Sequence, residues 1–301
     1  MPIEQHAAGL ERLVDLQQET EELATGFGGQ AGPAEGPLWW HDGGYLLFSD
    51  IGHNRRMKWT PGSGLSVAQE STNEANGLTR DRQGRLLACE HLARRVTRQE
   101  PDGSLTVVAY NYHGRRLNRP NDVVVKSDGS IYFTDPGLGR IESELDFCGV
   151  YRVAPDLGSI HVLVWDFVLP NGLAFSPDER ILYVNDSRRR QIRAFEVEPT
   201  GLLALATDRV FATLHGDRVG APDGMKVDVE GNVYCTGPGG IWIFDAAGTH
   251  LGTIATGAQT TNLAWGDADW QTLYFTTWGT LGRIRMRIPG IPVPRGPVPT
   301  A

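Results

Sequence analysis

A six-bladed β-propeller closed by an N-terminal strand is the all-β fold this sequence predicts, and three observations point to it. First, 37 Gly and 18 Pro punctuate short runs of Val, Ile, Tyr, Phe and Trp along 301 residues, which is the composition of many strands joined by turns. Second, a unit recurs six times, opening at Glu35, Asn76, Asn121, Asn171, Asp223 and Asn262, with spacings of 41, 45, 50, 52 and 39 residues. Third, no long helical period separates the strands, as a TIM barrel or a Rossmann fold would require.

Each unit reads as four short strands, the pattern of a propeller blade. The openings EGPLWW, NGLTRD, NDVVVK, NGLAFS, DGMKVD and NLAWGD are the first strands. After a turn come HDGGYLLFSD, DRQGRLLACE, SDGSIYFTD, PDERILYVND, VEGNVYCTG and ADWQTLYFTT, the second strands. Third strands follow in runs such as GVYRV, QIRAFEV and GIWIFD, and fourth strands in SLTVVAY, SIHVLVW and HLGTIAT. The sixth unit stops short, because after RIRMRI the chain runs into PGIPVPRGPVPTA, too rich in Pro for a ladder strand. The missing strand is expected from TEELATG, Thr20 to Gly26, which would complete the last blade and hide its edge. The chain therefore divides into an extension over 1–19 with a short helix, where Leu10, Leu13 and Val14 recur at helical spacing, a propeller over 20–288, and a Pro-rich tail over 289–301. The tail is expected to be dispensable.

Composition narrows the function. With 28 Lys and Arg against 36 Asp and Glu, the formal net charge is −8, which argues against nucleic acid or an anionic membrane as the partner. Three widely spaced cysteines, Cys89, Cys148 and Cys235, form neither a metal knuckle nor a redox pair and read as inert thiols in a reducing compartment. The N-terminus shows no basic and apolar leader, and no apolar run approaches the about 20 residues of a membrane span, so a cytoplasmic protein is expected, a monomer or weak homodimer.

In a propeller the first strand of each blade lines the central channel. All six openings start with a side-chain oxygen, so six oxygen-bearing groups would converge on one axis. Asn-Gly and Asp-Gly also form turns, which would account for several openings but not for Glu35. A ring of oxygens without clustered Cys or His suits a hard divalent cation, and Glu35 and Asp223 would offset its charge. Ca²⁺ is expected first, with Zn²⁺, Mn²⁺ and Mg²⁺ as alternatives.

The segments EGPLW, RPND, PNGLAFSPD and PDGMKVD make the chain resemble the SMP-30/gluconolactonase/luciferin-regenerating family, from about Leu23 to Arg287. The resemblance implies a metal in the channel and, as in many members, hydrolysis of sugar lactones. It implies Glu35, Asn171 and Asp223 as metal ligands, with Asn121 at the metal or beside it, and Arg119 as a substrate contact. It leaves Asn76 and Asn262 behind the ligands or bound through water. Asp223 and Asn121 would be the catalytic residues, with Asp223 as general base. A metal-bound carboxylate is a weak base, so Asp135 or His91 acting through water are the alternatives.

The loops after the second strands should wall the pocket. They carry Asp50 and His53, Glu90 and His91, Asp135 and Leu138, Asp186 and Arg188, Gly237 to Gly240, and Thr277 with Trp278. Of these, His91 and Asp135 are expected to bind substrate together with Arg119 and Asn121. The run Arg188-Arg189-Arg190 fits either an anion grip or a solvated loop. No G-x-S-x-G elbow, P-loop or dinucleotide fingerprint is present. The expected activity is metal-dependent hydrolysis of a small lactone such as glucono-1,5-lactone. The alternatives are a phosphotriesterase-like hydrolase and a non-catalytic calcium-binding propeller.

Overall fold

The computed structural model describes residues 3–137 and 142–296. Six antiparallel sheets surround one axis. Blade one runs from Ala34–Trp40 to Gly64–Glu70, blade two from Ala75–Arg80 to Leu105–Ala109, and blade three from Val123–Val125 to Ile160–Phe167. Blade four runs from Pro170–Phe175 to Leu203–Thr213, blade five from Met225–Val227 to His250–Ala255, and blade six from Thr260–Gly266 to Thr280–Arg285. Within each sheet the first strand is innermost, and the innermost strands touch in cyclic order around the axis.

The apolar core follows from this arrangement. Side chains alternate across each strand, so every blade offers two faces to its neighbours. Six clusters of buried residues result, each shared by two adjacent blades. Leu87, Val96, Phe133 and Tyr151 join blades two and three, and Phe48, Met57, Tyr274 and Leu281 join blades six and one.

The N-terminus is built into the ring. Glu21–Thr25 pairs with Thr280–Arg285 and supplies the fourth strand of blade six, the closure expected from TEELATG. Ile3–Gln5, expected in an extension, pairs with His250–Ala255 as a fifth strand on blade five. Between them the single turn Leu10–Leu13 buries Leu10 and Leu13 against Tyr234, Ile254 and Phe275.

The tail, expected to be dispensable, packs against the ring. Its described part crosses the end of the channel opposite the six openings. Gly290 bridges to Asp228, the Ile291 N–H donates to the Val227 carbonyl, and Val293 packs beside Leu38 and Leu78. Arg295 donates to the carbonyls of Phe175 (3.0 Å), Ser176 (3.1 Å) and Pro177 (3.4 Å), and lies 3.6 Å from Glu179. Proline forbids a ladder strand but not an irregular strap. Only a small void of about 80 Å³ remains under it. No helix among the described residues is long and apolar enough to cross a membrane.

Candidate functional site

At the open mouth, the first residue of each blade is followed by a close contact with the next blade. At three junctions a glycine N–H donates to the neighbour: Gly77 to the Asn121 carbonyl (2.8 Å), Gly172 to that of Asp223 (3.0 Å) and Gly224 to that of Thr261 (2.7 Å). At the other three a hydroxyl does so: Ser49 to Asn76, Thr134 to Asn171 and Thr261 to Ala34. The glycines are required sterically. A Cβ on Gly36 would stand 2.1 Å from the Asn76 carbonyl oxygen, and one on Gly172 would stand 2.2 Å from that of Asp223. The recurring Asn-Gly and Asp-Gly pairs are therefore points of blade contact rather than turns. The carbonyls of Asn76, Asn121, Asn171 and Asp223 are all occupied by neighbouring blades, which leaves the side chains for chemistry.

Five of the six opening residues, Glu35, Asn76, Asn121, Asn171 and Asp223, line one cavity of about 630 Å³. That volume lies within the roughly 300–1,000 Å³ usual for small-molecule sites. The sixth, Asn262, stands behind the ring, where its amide donates to Glu35 Oε2 (2.9 Å) and its Oδ1 accepts the Leu263 N–H. Asn76 Nδ2 donates to Asn121 Oδ1 (3.1 Å), while Asn76 Oδ1 is buried without a partner. Asn171 Nδ2 donates to Ser187 Oγ (3.2 Å), which donates in turn to the Pro222 carbonyl.

The two carboxylates make the site electrostatically unusual. Burial raises the Glu35 carboxyl above its ordinary range, and enclosure together with the Glu35 charge pushes Asp223 well above its own. Buried Asp122 adds its repulsion at both, and Lys226 offsets part of it at Glu35. Among the described residues no three His, Cys, Asp or Glu side chains cluster. The donors at the axis are thus two carboxylates and a set of amide oxygens, one of them unpartnered. This chemistry fits a hard divalent cation and not a soft one.

Around this floor stand Arg119 and His91, both buried and both lining the cavity. Arg119 Nη2 donates to His91 Nδ1 (2.9 Å) and lies 3.6 Å from Glu74. A guanidinium can only donate, so His91 Nδ1 acts as acceptor. The ring hydrogen then sits on His91 Nε2, 3.3 Å from Asn76 Nδ2, which is also a donor.

Asp135 departs from expectation. Its side chain is fully buried, is absent from the cavity wall, and accepts the backbone N–H groups of Asn118 (2.8 Å) and Arg119 (2.7 Å). The same position serves as a brace in other blades. Asp50 accepts from Gly28 N–H and Arg55, Glu90 from Asn73, Arg95 and Thr97, and Asp186 from the N–H groups of Val168, Leu169, Arg188 and Arg189. These acids hold the loops, and the residue that follows each often faces the cavity: Ile51, His91 and Ser187, with Trp278 after Thr277 in blade six. Ser187 was missed in the sequence, although its place one step after Asp186 matches that of His91 after Glu90. The segment Ala31 to Pro33 and Gln259, also on the wall, carry no periodic signal. Of the other loop residues named above, Arg188 lines the cavity, His53 and Gly237 to Gly240 do not, and Leu138 lies outside the described residues.

Residues 33–279 match the SMP-30/gluconolactonase/LRE-like region. A gluconolactonase of Zymomonas mobilis is 32% identical over 92% of this chain and 84% of its own. A pentonolactonase of Haloferax volcanii is 28% identical over 81% of each chain. Among solved structures, a gluconolactonase of Xanthomonas campestris superposes with a TM-score of 0.84 at 33% identity, covering 96% of this chain and 95% of that one.

Proposed function

Because this chain belongs to the SMP-30/gluconolactonase/LRE-like family, we propose that it is a divalent-cation-dependent lactonase acting on an aldonolactone such as glucono-1,5-lactone. The observation that carries this reading is the pair of enclosed carboxylates, Glu35 and Asp223, set among amide oxygens on the floor of a cavity of sugar-lactone size.

Glu35, Asn121, Asn171 and Asp223 would hold the cation, with Ca²⁺ the first choice for an all-oxygen set. When bound, it supplies Lewis-acid polarisation of the lactone carbonyl. The chain's own residues do the rest. Arg119, fixed by its contact with His91 and by Asp135 at its backbone, presents its fork to the ring oxygen and hydroxyls of the substrate. Asp223, which lines the cavity, takes the proton of the attacking water. Attack on the carbonyl carbon and cleavage of the ring C–O bond give the open hydroxy acid, the ring oxygen leaving as a hydroxyl with the proton that Asp223 releases.

The test is a pH-stat assay on a panel of lactones, with the protein stripped of cation and then reloaded. Turnover that vanishes on stripping and returns with Ca²⁺ supports the proposal. Cation binding without turnover of any lactone would leave a binding propeller. Turnover of phosphotriesters alone would replace the substrate class.

A further inference from the structure

Resting on the lactonase reading, we infer that the cavity selects lactones bearing an anionic group, a carboxylate or a phosphate, away from the ring carbonyl, and that Arg188 and Arg190 determine this selectivity. Both arginines line the cavity. Among the described residues Arg188 has no hydrogen bond or ion pair from its side chain, and Arg190 donates only to the Gly216 carbonyl (3.1 Å). Neither meets a carboxylate.

Most arginines elsewhere in this acidic chain do meet one. Arg55 pairs with Asp50, Arg80 with Asp42, Arg193 with Asp166 and Asp208, and Arg285 with Asp269. Arg188 is exposed and Arg190 half-buried, and both border the cavity. On the wall of a concave site, where the field is focused, an unpaired guanidinium is a recognition group.

The loop is also held in place. Buried Asp186 accepts the N–H groups of Arg188 and Arg189, each at 3.0 Å, and Ser187 is tied to Asn171 and Pro222. Arg188 therefore projects from a braced backbone one residue beyond a side chain that touches the ring of oxygens.

The charge balance points the same way. The cavity's carboxylates are Glu35 and Asp223, whose two charges a divalent cation would balance, and Arg119 has Glu74 beside it. What remains is the positive charge of Arg188 and Arg190. A neutral sugar lactone leaves both unanswered, whereas a carboxylate or phosphate meets the planar fork of an arginine with paired hydrogen bonds.

The experiment compares kcat/KM of the full chain loaded with Ca²⁺ on three lactones: a neutral aldonolactone, an aldarolactone with a free terminal carboxylate, and an aldonolactone 6-phosphate. At low ionic strength one of the anionic lactones is expected to be favoured about ten-fold or more over the neutral one, with the advantage shrinking as salt rises. Which anionic lactone leads distinguishes carboxylate from phosphate. Replacing both arginines (Arg188→Gln, Arg190→Gln) should raise KM for the favoured lactone about 10- to 100-fold, with a smaller change in kcat. Arg209→Gln removes the same charge from the outer strand of blade four and should keep the preference. A wild-type ratio near one, with the neutral lactone turned over, overturns the inference and spares the lactonase reading. So does a preference that survives the double replacement. If no lactone is turned over, both fall.

Discussion

The two ends of the central channel are built from the same six strands and have opposite chemistry. At one end the strands begin with Glu35, Asn76, Asn121, Asn171, Asp223 and Asn262. A few residues further along they present Leu38, Leu78, Val125, Phe175, Val227 and Trp265 around a small, mainly apolar void that Arg80, Lys226 and Arg295 also border. A strand rises about 3.3 Å per residue, so roughly 10 Å separates a polar, open mouth from a mainly apolar, strapped one. The open mouth holds two enclosed carboxylates, both raised above their ordinary range, and the bare Asn76 Oδ1. At the strapped mouth, Arg295 is committed to three backbone carbonyls. The end that binds turns its carboxylates and amides toward an open cavity, and the end that holds the ring commits Arg295 to the backbone.

The most severe way to break this contrast is to open the ring itself. Deleting residues 1–26 removes Glu21–Thr25 and leaves Thr280–Arg285 as a bare edge. No soluble folded protein is expected, as judged by expression and size-exclusion chromatography. A soluble, active truncation would show that the blades close without their N-terminal strand.

Next in size is the open mouth. Asp223→Ala should lower kcat/KM by about 10²–10³-fold or more and weaken Ca²⁺ binding measured by calorimetry. The cation-free form of Asp223→Asn should melt higher than cation-free wild type, because one of two mutually repelling charges is gone. Unchanged Ca²⁺ affinity in Asp223→Ala would remove this residue from the cation site.

Gly172→Ala probes the link between ring geometry and site. The added Cβ would press on the Asp223 carbonyl and on Asn185 Nδ2 at 2.9 Å. A loss of about 1–3 kcal/mol of stability is expected, read by chemical denaturation, together with weaker Ca²⁺ binding, since Asn171 and Asp223 are the residues forced apart. Loss of stability with full affinity would show that the blades yield away from the axis.

The smallest effect belongs to the strapped mouth. Ending the chain at Pro289 removes Ile291, Val293 and Arg295. Each charge-assisted bond of Arg295 is worth about 1.5–3 kcal/mol at most, so a drop of several degrees in Tm is expected, with kcat near wild type. A truncated protein that melts like the full chain would restore the tail to the dispensable role its prolines suggest.

How much of this was legible beforehand differs between residues. The six openings, the order of the strands and the closing role of Thr20 to Gly26 could be read directly, because a repeat announces equivalent positions however far apart they lie. The resemblance also drew attention to Arg119, and the structure sets it against His91. Asp135 was misleading. Its place at the end of a second strand is shared with Asp50, Glu90 and Asp186, yet a carboxylate reads the same whether it faces a cavity or two backbone N–H groups. Local propensity cannot separate these, since the partners of Asp135, at Asn118 and Arg119, come from a loop 16 and 17 residues away.

The sequence by itself determined the repeat, the blade count and the six oxygen-bearing openings, because all of these follow from residue type and period alone. Only the tertiary structure decided which oxygens stay free, which acids become braces, that Ser187 and Arg188 face the cavity, and that a Pro-rich tail straps the far mouth. Those outcomes depend on which hydrogen-bond donors the fold brings within about 3 Å of each side chain. In a ring of six blades, many of those donors belong to a neighbouring blade or to a distant loop.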